Sequence, residues 1–311
     1  MQGFCLGGEL PGAVTYLVEA VPPGRAGLAC GVLFGCASLG VVLASGVSAG
    51  LHAVLPPAAM AQYGWRIAFG LGGLLGILSY LPRRTLIESP VFAQMRERQE
   101  VEQMPLLRVL RQDLGPVAAD IGATAVVAGL NGILFAYLPA YLVRVAGYPP
   151  GAVATAVLVG LAAGVPALLA SGALCDRLPS RTVLRLGAAA VLLVSWPFFQ
   201  AVSAHGTTHL ALWLAGLGAT GGIAGGAFGV VLASLFQANV RFSGVALSYN
   251  LGFALFSGLA PVAAVGLIAA TSDAAAPALY LAGVAAVALV ASLWAGRLQP
   301  PKSRMSSSPN G

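Results

Sequence analysis

The chain has 311 residues, of which 58% are hydrophobic and 8% charged, and its formal net charge is +6. Soluble domains average about 25% charged residues, and no soluble core can hide this much apolar surface. Composition therefore excludes a soluble globular domain and reads as a polytopic membrane protein with a mean hydropathy of +0.86.

Apolar segments run approximately over 4–21, 27–51, 65–82, 117–143, 150–172, 183–204, 209–237, 243–270 and 277–296. Each has about the 20 residues that a helix rising about 1.5 Å per residue needs to cross a hydrocarbon core of about 30 Å. The expected fold is all-α, with about nine transmembrane helices. The first stretch holds Glu9 and Glu19. A carboxylate at bilayer depth costs about 2.5 to 3.5 kcal/mol on insertion scales, so it calls for a polar path or a partner.

Turn chemistry separates the segments: Pro22-Pro23-Gly24, Pro56-Pro57, Gly147-Tyr148-Pro149-Pro150, Pro179-Ser180 and Pro277. Such residues remove donors or permit positive φ. Pro11, Pro139, Pro166, Pro197 and Pro261 lie inside spans instead, where neighbouring helices can satisfy the freed carbonyls.

After the third span, residues 83–116 carry mixed charge at a density that reads as a solvated or interfacial helix. The expected division is a partial N-terminal bundle of three spans (1–82), a cytoplasmic linker (83–116), a six-helix bundle (117–296) and a cytoplasmic tail (297–311). In the seventh span Gly218, Gly222 and Gly226 recur every four residues, with Gly221, Gly225 and Gly229 one step round. Gly31/Gly35, Gly46/Gly50 and Gly72/Gly76 repeat the pattern, which lets helix backbones approach closely or slide.

Orientation follows from the cations. If the joint at Arg25 is cytoplasmic, fourteen Lys and Arg residues fall inside and only Arg66 and Arg144 outside. The N-terminus is then external, and Met1 runs into Gln2-Gly3-Phe4 without the basic region of a signal peptide, so the start reads as the middle of a longer protein. Topology accounts for the net charge without nucleic acid.

Other chemistry is sparse. His205 and His209 have an i, i+4 spacing but flank a short external joint and lack a third ligand. Cys5, Cys30, Cys36 and Cys175 form no CxxC pair and read as small packing residues. There is no nucleophile triad, P-loop or dinucleotide fingerprint, so neither an enzyme, a metal site nor a cofactor is expected.

Several stretches carry a resemblance. Gly7-Gly8-Glu9 with Tyr16, Glu19, Pro22 and Arg25-Ala26-Gly27 resembles the fourth helix and following loop of the major facilitator superfamily, its metabolite:proton symporters above all. Gly64-Trp65-Arg66-Ile67-Ala68-Phe69, with Arg83-Arg84-Thr85-Leu86-Ile87-Glu88-Ser89-Pro90-Val91-Phe92, is similar to the sixth helix and the start of the central loop. Gly172-Ala173-Leu174-Cys175-Asp176-Arg177 with Arg181 and Leu184 resembles the loop between helices eight and nine. Val240-Arg241-Phe242-Ser243-Gly244 through Tyr249-Asn250 and Pro261 resembles the entry to helix eleven. On this mapping the spans are helices four to twelve, and helices one to three are missing.

The resemblance implies a secondary transporter in a cell membrane, the bacterial inner membrane, in which two bundles rock around a midplane site and proton flow drives uptake of a small organic acid or zwitterion. Glu9, roughly 12 Å from the external end at helical rise, is the favoured proton or substrate carboxylate, with Asp120 as the fallback. Tyr16, Asn131, Tyr137, Tyr141 and Asn250 are candidate uncharged cavity donors. Glu19 and Arg25 are expected to pair at a cytoplasmic gate, joined there by Asp176, Arg177, Arg181 and Arg241. Two alternatives stay open: a non-transporting fragment, and a drug-type proton antiporter of the same fold. Antiporters typically carry a glycine-rich stretch ending in Gly-Pro on helix five, where this chain has Gly31 and Gly40 but Ala44. The resemblance covers carriers of tricarboxylates, dicarboxylates, shikimate-like acids and betaines, so the solute stays open, as does the oligomeric state.

Overall fold

A computed structural model describes residues 2–22, 24–84, 88–100, 102–204 and 209–298, the side chains of 2–6, 57, 82 and 83 lying outside that description. Among the described residues every regular element is helical. In chain order the helices are α1 (Gln2–Ala20), α2 (Ala26–Val54), α3 (Trp65–Arg83), α4 (Pro90–Glu97), α5 (Pro105–Gln112), α6 (Leu114–Arg144), α7 (Pro150–Cys175), α8 (Ser180–Ser203), α9 (Leu210–Ser234), α10 (Arg241–Thr271) and α11 (Pro277–Ala295). Eight described helices are long and apolar enough to cross a membrane. The expected ninth is α1, a helix of 19 residues that carries two carboxylates and is not among the eight.

The last six of these long helices enclose the main core. Phe198, Phe199, Tyr141, Leu184, Leu214 and Leu281 are fully buried within it. The tightest pair is α7 with α9, and the glycine row explains why. A side chain at Gly218 would run into the Gly160 backbone, one at Gly222 into Gly164, and one at Gly226 into Leu168. Close backbone approach of this kind supplies dispersion contact where lipid leaves no hydrophobic drive between helices. On α2, Gly31 and Gly35 face Leu168 and Val165 of α7. Gly46, Gly50, Gly72 and Gly76, by contrast, have open space where packing was expected. α3 touches α2 but exposes most of its length.

Two of the in-span prolines are accommodated by π turns. Residues Gly132–Tyr137 form one just before Pro139, and Phe253–Ser257 form another just before Pro261. Proline removes a donor and clashes with the carbonyl four residues back, and a widened turn absorbs both effects. The two π turns meet, since a side chain at Gly132 would strike Ser257 and Ala260.

Candidate functional site

Helix directions place Arg25, Arg177, Arg181, Arg185 and Arg241 at one end of the bundle, the arginine-rich end. Away from that end lies a cavity of about 580 Å³. Gly7 and Leu10 of α1 and Phe34, Ser38 and Val41 of α2 form one side of it. The facing side comes from α6, α7, α9 and α10, where the side chains of Leu130 and Leu168 pack directly against Gly221 and Gly225. Its polar groups are Ser38, Asn131, Tyr249 and Asn250, and no Asp, Glu, Lys or Arg lines it among the described residues.

Asn131 and Asn250 thus stand on the wall. Asn250 donates through Nδ2 to the carbonyls of Gly7, 2.8 Å away, and Ala246, 2.7 Å away, so it also ties α1 to α10. Tyr137 and Tyr141 do not reach the cavity. They pack on each other with centroids 5.4 Å apart inside the main core, and the Tyr141 hydroxyl donates to the Ala274 carbonyl at 2.7 Å. Tyr16 is half-buried on α1 and absent from the wall. Glu9 is exposed, two residues beyond Gly7, and is not among the lining residues. Asp120 is fully buried on α6, where neither carboxylate oxygen completes a hydrogen bond among the described residues. The polar side chain facing it is Ser248, also buried.

At the arginine-rich end the helices close. Glu19 pairs with Arg241, 222 residues away, at 2.7 Å, and not with Arg25, which is exposed. The expected Glu19–Arg25 pair is thereby corrected: Arg25 precedes the first turn of α2 and points outward, whereas α10 presents Arg241 directly across from α1. The side chains of Arg241 and Glu19 are 19% and 6% exposed, so each charge depends on the other. Arg241 also donates from Nε to the Ala233 carbonyl at 3.1 Å.

Ser89 completes this cluster, a contact without a sequence signal beyond the Ser-Pro that starts a helix. Its hydroxyl donates to Glu19 Oε2 at 2.6 Å while accepting from the Phe92 amide at 3.1 Å as the cap of α4. Farther along the 83–116 segment Arg108 bonds Glu102 at 2.9 Å and Gln237, on the turn between α9 and α10, at 3.3 Å. The segment is thus strapped across the arginine-rich end at two points.

Asp176 seals the other seam. Its oxygens accept from the amides of Gly27 at 2.7 Å and Leu28 at 3.0 Å, at the start of α2. A carboxylate at a helix N-terminus satisfies orphan donors and meets the positive end of the dipole. Arg177 is exposed, and Arg181 points at the end of α11 instead of across the seam, so neither joins this gate. Arg185, expected only as a topology charge, clamps Ser292 of α11 through Oγ at 3.1 Å and the carbonyl oxygen at 2.8 Å.

Of the other candidates, Cys30 is buried against Gly229, Cys175 is half-buried and Cys36 is exposed, all with free thiols. His205 and the side chain of Cys5 lie outside the described residues, and His209 is the residue before α9.

Long apolar helices around a central cavity, closed at one end, make a multi-span membrane architecture. The sequence profile of the Major Facilitator Superfamily matches residues 1–257, and the chain belongs to that family. It is 29% identical over 315 residues to a protein of Staphylococcus aureus (strain COL) provisionally named proline/betaine transporter, covering all of this chain and 67% of that one. A citrate-proton symporter of Klebsiella pneumoniae is 29% identical over 298 residues, 94% of this chain and 66% of the relative. The chain thus spans about two thirds of the length of these relatives. Among solved structures, the proton:xylose symporter XylE bound to 6-bromo-6-deoxy-D-glucose shares the fold with a TM-score of 0.69 at 16% identity, over 92% of this chain and 67% of that one.

Proposed function

We propose that the chain carries the solute cavity and gate of a proton-coupled symporter that takes up a small, net-neutral organic solute, a zwitterion ahead of a polyanion, by alternating access. The observation that carries this reading is the wall of the cavity, which offers amides, hydroxyls and aromatic faces but no charged side chain among the described residues. A polyanion moved from water into such a site without counter-charges meets a large desolvation penalty. A zwitterion brings its own compensation. The names of the relatives span both kinds of solute, proline/betaine and citrate. The closed end supports the alternating part: the Glu19–Arg241 pair and the Asp176 cap join helices on opposite sides of the cavity, and both must release for the solute to leave toward the arginine-rich, cytoplasmic side. Asp120, fully buried on α6 and facing Ser248, and Glu9 on α1 are the two carboxyls proposed for proton coupling.

The test is uptake of radiolabelled proline, glycine betaine and citrate into proteoliposomes with an imposed inward proton gradient. The expected outcome is accumulation of a zwitterion that a protonophore abolishes, and reduced accumulation in Asp120→Asn or Glu9→Gln. Accumulation of citrate alone, or uptake that ignores the protonophore, overturns the reading.

A further inference from the structure

The arginines on the first turns of α8 form a site that the transport cycle does not use. Arg185 is satisfied, bonded to Ser292 Oγ and the Ser292 carbonyl near the end of α11. Arg181, one turn earlier, is not: its Nη2 is buried and has no hydrogen-bond partner among the described residues. Both guanidiniums converge on one place. Arg181 Nη1 and Arg185 Nη2 each lie 3.9 Å from the point where a side chain at Gly296 would begin. A Cβ there would just touch both guanidiniums, and a longer side chain would reach into the space between them. Glycine keeps the space between them open.

Two like charges four residues apart on a helix repel, and the negative end of the α11 dipole offsets only part of this. Among the described residues no carboxylate forms an ion pair with Arg181 or Arg185. Asp176 is bonded to the Gly27 and Leu28 amides, Glu19 to Arg241 and Glu102 to Arg108. Asp113, whose near neighbour Gly115 packs on Leu298, makes no ion pair with Arg181, Arg185 or Arg297 among the described residues. Arg177 and Arg297 add two exposed cations nearby. The cluster is therefore a half-buried positive site in search of an anion.

Its depth and surroundings say which anion. It sits at the last turn of a membrane helix, whose Leu293, one turn before Gly296, is 59% exposed, and whose Trp294, at the same depth on another face, is 42% exposed. An exposed leucine one turn below a cluster of arginines, with a tryptophan of the same helix at interfacial depth, matches the layering of a phospholipid: acyl chains below, phosphate at the interface. We propose that Arg181 and Arg185, opened by Gly296 between α8 and α11, bind the phosphate of an anionic phospholipid headgroup. Arg181 supplies the free donors, and Arg185 holds α11 in register beside it.

Native mass spectrometry of the delipidated 311-residue chain, titrated with phosphatidylglycerol, phosphatidylcholine or inorganic phosphate, tests this. Phosphatidylglycerol is expected to remain bound at concentrations where phosphatidylcholine does not, and Arg181→Gln to weaken it about fivefold, the scale of one cation at an anionic surface. Arg98→Gln, an exposed residue of the 83–116 segment, serves as the control and leaves binding unchanged. A second variant, Gly296→Leu, fills the opening while keeping both charges and is expected to weaken phosphatidylglycerol comparably. Equal retention of the two lipids, wild-type binding by Arg181→Gln, or displacement of the lipid by millimolar phosphate overturns the proposal, the last by identifying a site for a free anion.

Discussion

The two halves of α2 behave differently. From Gly27 to Gly35 it lies against α7 and α9, so closely that a side chain at Gly27 would meet Asp176 Oδ1 and Cys175 Cβ at 2.8 Å, and one at Gly31 the Leu168 carbonyl at 2.9 Å. From Gly40 to Gly50 the same helix has nothing within 4 Å of its glycines. The first half is a seam, held by backbone contact, an Asp176 cap and, on the neighbouring α1–α10 contact, a partly buried ion pair. The cavity residues Phe34, Ala37, Ser38 and Val41 mark the changeover, and beyond them the second half is largely an exposed surface. Small residues are common to both, so glycine content does not distinguish seam from wall; the polar partners at the arginine-rich end do.

The largest effect is expected from breaking the ion pair. With Glu19 only 6% exposed, removing one partner strands a charge, which typically costs about 3 to 5 kcal/mol. Arg241→Gln should therefore destabilise the closed end more than any other single change discussed here, and Glu19→Gln somewhat less because Ser89 can still bond a neutral amide. Thermal unfolding in detergent of both singles and the double Glu19→Gln/Arg241→Gln forms the cycle. A coupling of about 1 to 3 kcal/mol is expected for groups in direct contact; strict additivity would mean that the pair does not lock the seam.

How much of this arrangement is legible in the sequence depends on whether the signal is local. Hydropathy marks the long helices within a few residues, because a span must be apolar over its whole length. The four-residue glycine spacing on α9 correctly marks a packing face, the row at Gly218, Gly222 and Gly226 lying against α7. Partners distant in sequence are another matter. Proximity along the chain matches Glu19 with Arg25, while its partner sits 222 residues away. Tyr137 and Tyr141 read as cavity donors on the same helix as Asn131, but the π turn at Gly132–Tyr137 shifts the register of the helix beyond it. One extra residue in a turn rotates later side chains by about 100°, and both tyrosines end in the core. Pro139 hints at an irregular turn without saying which way the chain rotates.

A middle-sized effect should separate seam from wall directly. Gly27→Leu and Gly40→Leu make the same chemical change on the same helix, one where a side chain meets Asp176 and Cys175 and the other where it meets nothing. Overpacking a close contact costs about 1 to 3 kcal/mol, so Gly27→Leu should pry α2 from α7, and Gly40→Leu should be close to neutral. Native Cys175, half-buried at this contact, is the reporter. Its alkylation rate, read by peptide mass spectrometry, is expected to rise severalfold in Gly27→Leu alone. Equal rates in the two variants would show that the Gly27 contact is not what closes the end.

The smallest effect is expected at Asp176. Its two oxygens take the amides of Gly27 and Leu28, and the loss of a cap typically costs about 0.5 to 2 kcal/mol, with the charge–dipole part about 0.3 to 1 kcal/mol. Asp176→Asn keeps one acceptor and removes the charge, whereas Asp176→Ala removes both, so the two variants split the effect into its hydrogen-bond and electrostatic parts. The charge part is screened by salt where it is exposed, and Leu28 is 42% exposed at this point. Raising the salt from low to molar concentration should therefore narrow the stability gap between wild type and Asp176→Asn while leaving the gap between Asn and Ala. If salt leaves the first gap untouched, the dipole contributes nothing, and Asp176 closes the seam through its two hydrogen bonds alone.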